Sequence, residues 1–235
     1  MKLICLPYAG ASYYSYRMLE NCFPTDIRTI TLDLPGHGKR FREPLLTNIS
    51  EMSEDLYHQI KPELNEPYAL YCHSMGGLLA YHVCLSIYHD NLLKPRHLFV
   101  SGHNAPSVPI NEQVKNVSSL SNIAFIEGLV KLGGVPEEVL KEKDLLELFM
   151  PILRADFKAV ETYQYKKADF LIDVPITVMI GTDDILTSVE GSLSWRDFTS
   201  AKINMIEFTG AHFFIFDNWI EIAKIICTTL KKLTR

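Results

Sequence analysis

The sequence predicts an α/β fold, a mostly parallel sheet with helices on both faces. Three observations predict it. Six short apolar runs, rich in Ile, Val, Leu and aromatics, recur along the 235 residues and mostly end at Gly, Pro or Asp. Segments with helical spacing separate them, and parallel strands need such crossovers, which cover both faces of a sheet. One connection, residues 103–174, is far longer than the usual few-residue loop.

In chain order the strand candidates are KLICLP from Lys2, RTITLDL from Arg28, PYALYC from Pro67, RHLFVSG from Arg96, PITVMIG from Pro175 and INMIEF from Ile203. Helical spacing marks SEMSEDLYHQIKPEL from Ser50, GLLAYHVCLSIYHD from Gly77, SVEGSLSWRDF from Ser188 and IEIAKIICTTLKKL from Ile220. Within the long connection, amphipathic pieces between about 118 and 166 are separated by LGGVP and by Pro151, and they read as an inserted helical lid. The expectation is a single domain over 1–235, with the lid at about 106–168.

Bulk composition narrows the function. A formal charge of −5 and only short basic clusters, such as KKA from Lys166, argue against nucleic-acid binding. No apolar run is long enough to span a bilayer, and the apolar start is interrupted by Pro7, short of a signal-peptide core. The five cysteines lack CxxC pairs and zinc spacing, which fits free thiols in a reducing, cytoplasmic setting. There is no GxxxxGK[ST], HExxH, EF-hand loop or GxGxxG after a strand, so no cofactor and no metal is expected.

The stretch YCHSMGGLLAYHV runs from a strand through small residues into a helix, with Ser74 at the turn. This is the pattern of a nucleophile elbow, in which a sharp turn lifts the serine hydroxyl above the carboxyl edge of the sheet in α/β-hydrolase folds. Cys72 stands where the first Gly of G-x-S-x-G is usual. A neutral serine needs a base, and the base needs a group to orient it, in the chain order Ser, Asp or Glu, His. Of the eight histidines only His212 follows the last strand, so it is the candidate general base. Asp183 and Asp184, in GTDD after the fifth strand, are both candidates for the orienting acid. The oxyanion of a tetrahedral intermediate would be met by two backbone N–H groups: that of Met75, after the nucleophile, and that of Ala9, in LPYAGAS. His73 is expected to pack behind the elbow, and His37, in DLPGHGKR, to serve a turn or the substrate rim. The remaining histidines are expected to be structural or exposed.

Taken together, LPYAGAS, LDLPGHGKR, LYCHSMGG, VSGHNAP, LGGVPEEVL, LFMPILRADFKAVETYQY, GTDD and GAHFF resemble a type II thioesterase. This is the free-standing editing hydrolase of nonribosomal peptide and polyketide synthases, and the resemblance covers nearly the whole chain. It implies that Asp184, the second acid of its motif, completes a triad with Ser74 and His212. It also implies a substrate: an acyl, aminoacyl or peptidyl thioester on the phosphopantetheine arm of a carrier protein. His37 and His103 stand where relatives often carry Arg, and Ala211 where Gly is common. A small-molecule carboxylesterase or lipase, and a non-catalytic binding protein of the same fold, are the alternatives.

Overall fold

A computed structural model of the chain describes residues 1–133 and 142–233. Six strands, β1 (Lys2–Leu6), β2 (Arg28–Thr31), β3 (Tyr68–His73), β4 (Leu98–Ser101), β5 (Ile176–Gly181) and β6 (Ile203–Phe208), form one sheet in the order β2-β1-β3-β4-β5-β6. Every pairing is parallel, for example Ile4 with Leu70 and Cys72 with Val100. The order reverses direction between β1 and β3. Loops leaving their carboxyl ends therefore diverge, which is where such sheets form a crevice.

Period-two geometry sends neighbouring side chains to opposite faces. Ile4 and Leu6 of β1, with Tyr68, Leu70 and Cys72 of β3, join one buried cluster; Leu3, Cys5, Ala69 and Tyr71 join the other. On the first face lie α2 (Ile49–Ile60) and α3 (Gly76–His89), which pack against each other. Asn48 caps α2 by accepting the Ser50 and Glu51 N–H groups. The second face is covered by α1 (Arg17–Glu20) and α7 (Trp219–Leu233), whose Ile222, Ala223 and Ile226 are buried. Among the described residues no helix is long and apolar enough to cross a membrane, and all five cysteines are free.

The long connection between β4 and β5 contains α4 (Asn122–Leu132) and α5 (Lys143–Glu161). Ser121 caps α4, and Gly133 ends it with a φ of 73°. Of LGGVPEEVL, residues 134–140 lie outside the described residues. Pro151 does not separate two helices as the sequence suggests; it lies inside α5. Its own position is exposed, while Met150, Ile152 and Leu153 beside it are buried, and this packing outweighs the lost backbone hydrogen bond. Arg154 ties α5 to α4, donating to the Ser118 carbonyl (2.6 Å) and to Asn122 (2.9 Å) and lying over the Phe125 ring. SVEGSLSWRDF is a short α6 (Val189–Leu193) followed by a 3-10 turn rather than one helix.

Candidate active site

Ser74 leaves β3 with a φ of 50°, a left-handed conformation that costs a non-glycine residue about 1–3 kcal/mol. Two backbone hydrogen bonds hold it there, Ser74 N–H to the Ser101 carbonyl and Gly77 N–H to the Ser74 carbonyl, both 2.8 Å. The turn also needs small neighbours. A side chain at Gly76 would press on the Leu6 and Pro7 carbonyls at 3.1 and 3.0 Å, and one at Gly77 would meet His103 at 2.8 Å. Cys72 is fully buried, with its thiol donating to the Phe99 carbonyl, so it points away from the crevice.

The loop after β6 carries His212 back over the elbow. The Ser74 hydroxyl is 2.8 Å from His212 Nε2, and His212 Nδ1 is 2.9 Å from Asp184 Oδ2. Asp184 is buried, and burial pushes its carboxyl pKa up. The hydrogen bond and charge of His212, the Leu186 N–H and the Thr187 hydroxyl outweigh burial and hold it below the usual carboxylate value. Asp183, the other acid of GTDD, is exposed, and among the described residues its carboxylate takes only a hydrogen bond from Thr182. Ser74, His212 and Asp184 therefore form one hydrogen-bonded row, with Asp183 outside it.

Met75 and Ala9 line the same crevice as Ser74. Among the described residues neither N–H has an acceptor within the protein. His73 is fully buried behind the elbow, its Nδ1 3.1 Å from the Ser101 hydroxyl and its ring 5.1 Å from that of His212. Burial holds its pKa well below the ordinary histidine value.

A cavity of about 250 Å³ opens from Ser74. Its walls are largely apolar and come from the β4–β5 connection, among them Val108, Leu129, Leu153, Phe157 and Val160. His103, just after the end of β4, lines this cavity, and Trp195 fixes its backbone by donating to the His103 carbonyl. Of the two expectations for His37 the turn holds and the rim does not: its backbone N–H donates to the Leu34 carbonyl, and its ring is 2% exposed and contacts Asp156 of α5, which folds over its loop. Asn104 was missed. It bridges the loops after β4 and β5, donating to the Leu186 carbonyl and accepting the Ser188 N–H. Only its adjacency to the β4 carboxyl end could have marked it.

This arrangement, a strained serine at the carboxyl edge of a parallel sheet joined to histidine and aspartate, defines an α/β hydrolase. The family profile for the thioesterase domain matches residues 1–230. The gramicidin S biosynthesis protein GrsT of Aneurinibacillus migulanus is 33% identical over 98% of this chain and 89% of its own. The structure of ClbQ from the colibactin NRPS/PKS pathway superposes with a TM-score of 0.93 at 30% identity, covering 99% of this chain and 98% of that one. The type II thioesterase BorB from the borrelidin biosynthetic cluster gives a TM-score of 0.87 at 28% identity, covering 97% and 92%. The chain belongs to the thioesterase domain family, as a type II thioesterase of nonribosomal peptide and polyketide clusters.

Proposed function

We propose that this hydrolase releases acyl, aminoacyl or peptidyl groups held as thioesters on the phosphopantetheine arm of a carrier protein, clearing stalled synthase modules through an acyl-Ser74 intermediate. The observation that carries this reading is the continuous row from the Ser74 hydroxyl through His212 to Asp184, opening into an apolar cavity. Ser74 Oγ attacks the thioester carbonyl carbon while His212 Nε2 takes its proton. Asp184 keeps the tautomer that accepts that proton and stabilises the resulting imidazolium. The N–H groups of Met75 and Ala9 receive the oxyanion, a contribution whose loss typically costs about 10²–10³ in rate. The intermediate then collapses, the C–S bond breaks, and the departing thiolate takes the proton from His212. A simple thiol has a pKa of about 8.5, so this leaving group asks little of the acid. Water repeats the sequence on the acyl-serine, giving a carboxylic acid and free Ser74.

In this reading the β4–β5 connection acts as a lid whose apolar walls hold the acyl chain. The test is to incubate the protein with acyl-loaded carrier proteins and follow adducts by mass spectrometry. The expected result is an acyl group on Ser74 that disappears with turnover, and neither adduct nor hydrolysis in Ser74→Ala. Hydrolysis by Ser74→Ala at the parent rate would overturn the mechanism. Faster turnover of a simple aryl ester than of any acyl carrier would favour a small-ester hydrolase instead.

A further inference from the structure

The carboxylate of Asp156, on α5, is fully buried. Its Oδ2 accepts the Gly10 N–H at 2.7 Å and faces His37 Nε2 at 2.9 Å, while its Oδ1 is buried with no partner among the described residues. The other ring nitrogen of His37, Nδ1, lies 3.0 Å from the Pro35 carbonyl oxygen. Both nitrogens therefore face groups that only accept. A neutral imidazole has one donor and one lone pair, so it would turn a lone pair toward either the carbonyl or the carboxylate. The imidazolium donates to both.

The same helix grips the same loop one turn earlier, where a methyl group on Gly10 would stand 2.6 Å from Leu153 Cδ2. A second carboxylate acts from below: Asp33 accepts the Tyr13 N–H at 2.6 Å and the Lys39 N–H at 2.9 Å. The loop after β1 is thus pinned at Gly10 by α5 and at Tyr13 by the loop after β2. Between Gly10 and the crevice lies Ala9.

We infer that Asp156 and protonated His37 form a positioning pair that holds the Gly10 end of the loop carrying the Ala9 N–H, couples the seating of α5 to the oxyanion site, and is released as pH rises and His37 loses its second proton. This rests on the oxyanion role proposed for Ala9. Burial alone would lower the His37 pKa, but the hydrogen bond and charge of Asp156, the Pro35 carbonyl and the charge of Asp33 raise it above the ordinary histidine value. The neighbouring cations are engaged elsewhere, Lys39 over the Tyr13 ring and Arg40 with Glu43 and Asp55. Because the folded pKa is raised, the pair is complete below the unfolded value and is lost as pH rises through the folded one.

Nitrogen-15 NMR titration of the histidine rings in the intact protein reads the pair without reference to activity. His37 should titrate above the ordinary histidine value; a His37 ring that titrates at or below that value would overturn the proposal. In turnover of an acyl carrier, kcat should fall on the alkaline side in step with that titration, and His37→Arg should abolish the fall. Asp156→Asn should lower kcat roughly a hundredfold with KM little changed. An alkaline fall persisting in His37→Arg, or a rise in KM alone in Asp156→Asn, would reduce the pair to a structural contact. Absence of acyl-Ser74 at every pH would instead refute the proposed function, leaving the ring titration to decide the pair.

Discussion

Gly181 and Gly210 leave no room between them: a methyl group on Gly181 would collide with the Gly210 carbonyl oxygen and stand 2.7 Å from that of Ala211. The end of β5, which delivers Asp184, is thereby pressed against the loop that delivers His212. Asp183 N–H completes the junction by donating to the Gly210 carbonyl at 2.9 Å.

Gly181→Ala should therefore separate acid from base. Overpacking of this kind costs about 1–3 kcal/mol, and displacing the imidazole should lower kcat by roughly a hundredfold. Gly128 in α4 is the control, because an added methyl there meets nothing within 4 Å. Gly128→Ala should raise stability by about 0.4–1 kcal/mol and leave kcat unchanged. Thermal melts and single-substrate kinetics on both variants check this; equal effects would contradict it.

The two acids of GTDD should respond very differently to amidation. Asp184→Asn removes the carboxylate that orients His212 and should cut kcat by about 10⁴. Asp183→Asn changes an exposed side chain and should stay within about twofold. Comparable losses in the two variants would unseat Asp184.

Acid should silence the enzyme, because a protonated His212 cannot accept the serine proton. Asp184, held below the usual carboxylate value, stays ionised across that acid limb and should add no step of its own until lower pH. A rate that stays flat down to about pH 4, the ordinary carboxylate range, would exclude histidine as the base.

Filling the cavity should select against longer acyl groups. In Val160→Trp, kcat/KM should fall about tenfold or more for long apolar acyl chains and change little for acetyl. A uniform loss across chain lengths would mean that the acyl group lies elsewhere.

Thiol chemistry should divide the cysteines. Cys5, Cys72 and Cys84 are fully buried, and burial pushes all three thiols up, Cys84 to about 12. Cys22 and Cys227 are part-exposed. An aromatic disulfide reagent at mild alkaline pH should titrate two thiols in the native protein and five after denaturation. Rapid labelling of a third would show that a core cysteine is accessible.

The strands were legible because buried parallel strands leave continuous apolar runs; five fall within the stretches that predict them, and β3 runs one residue further, to His73. Ser74 and His212 could be found from position alone: one follows a strand and precedes a helix, the other follows the last strand. Asp184 could be chosen over Asp183 only by resemblance, since the local sequence places both at the same edge and only the folded chain separates them, burying Asp184 against His212 and leaving Asp183 exposed. The helix across Pro151 was hidden because propensity speaks for the lone chain, whereas packing of Met150, Ile152 and Leu153 decides the outcome. The burial of His37 was hidden for a related reason. Its partner Asp156 lies 119 positions away, and no local pattern records a contact that exists only once α5 has folded over the loop.

None of the three hydrogen-bonded side chains at the crevice comes from the α4–α5 region, which instead supplies Leu129, Leu132, Leu153, Phe157 and Val160 to the cavity wall. An engineer could therefore graft a foreign α4–α5 segment between β4 and β5 to change which acyl groups are accepted, leaving the nucleophile in place. Such a transplant must keep a leucine and an aspartate three positions apart above Gly10, as Leu153 and Asp156 stand now.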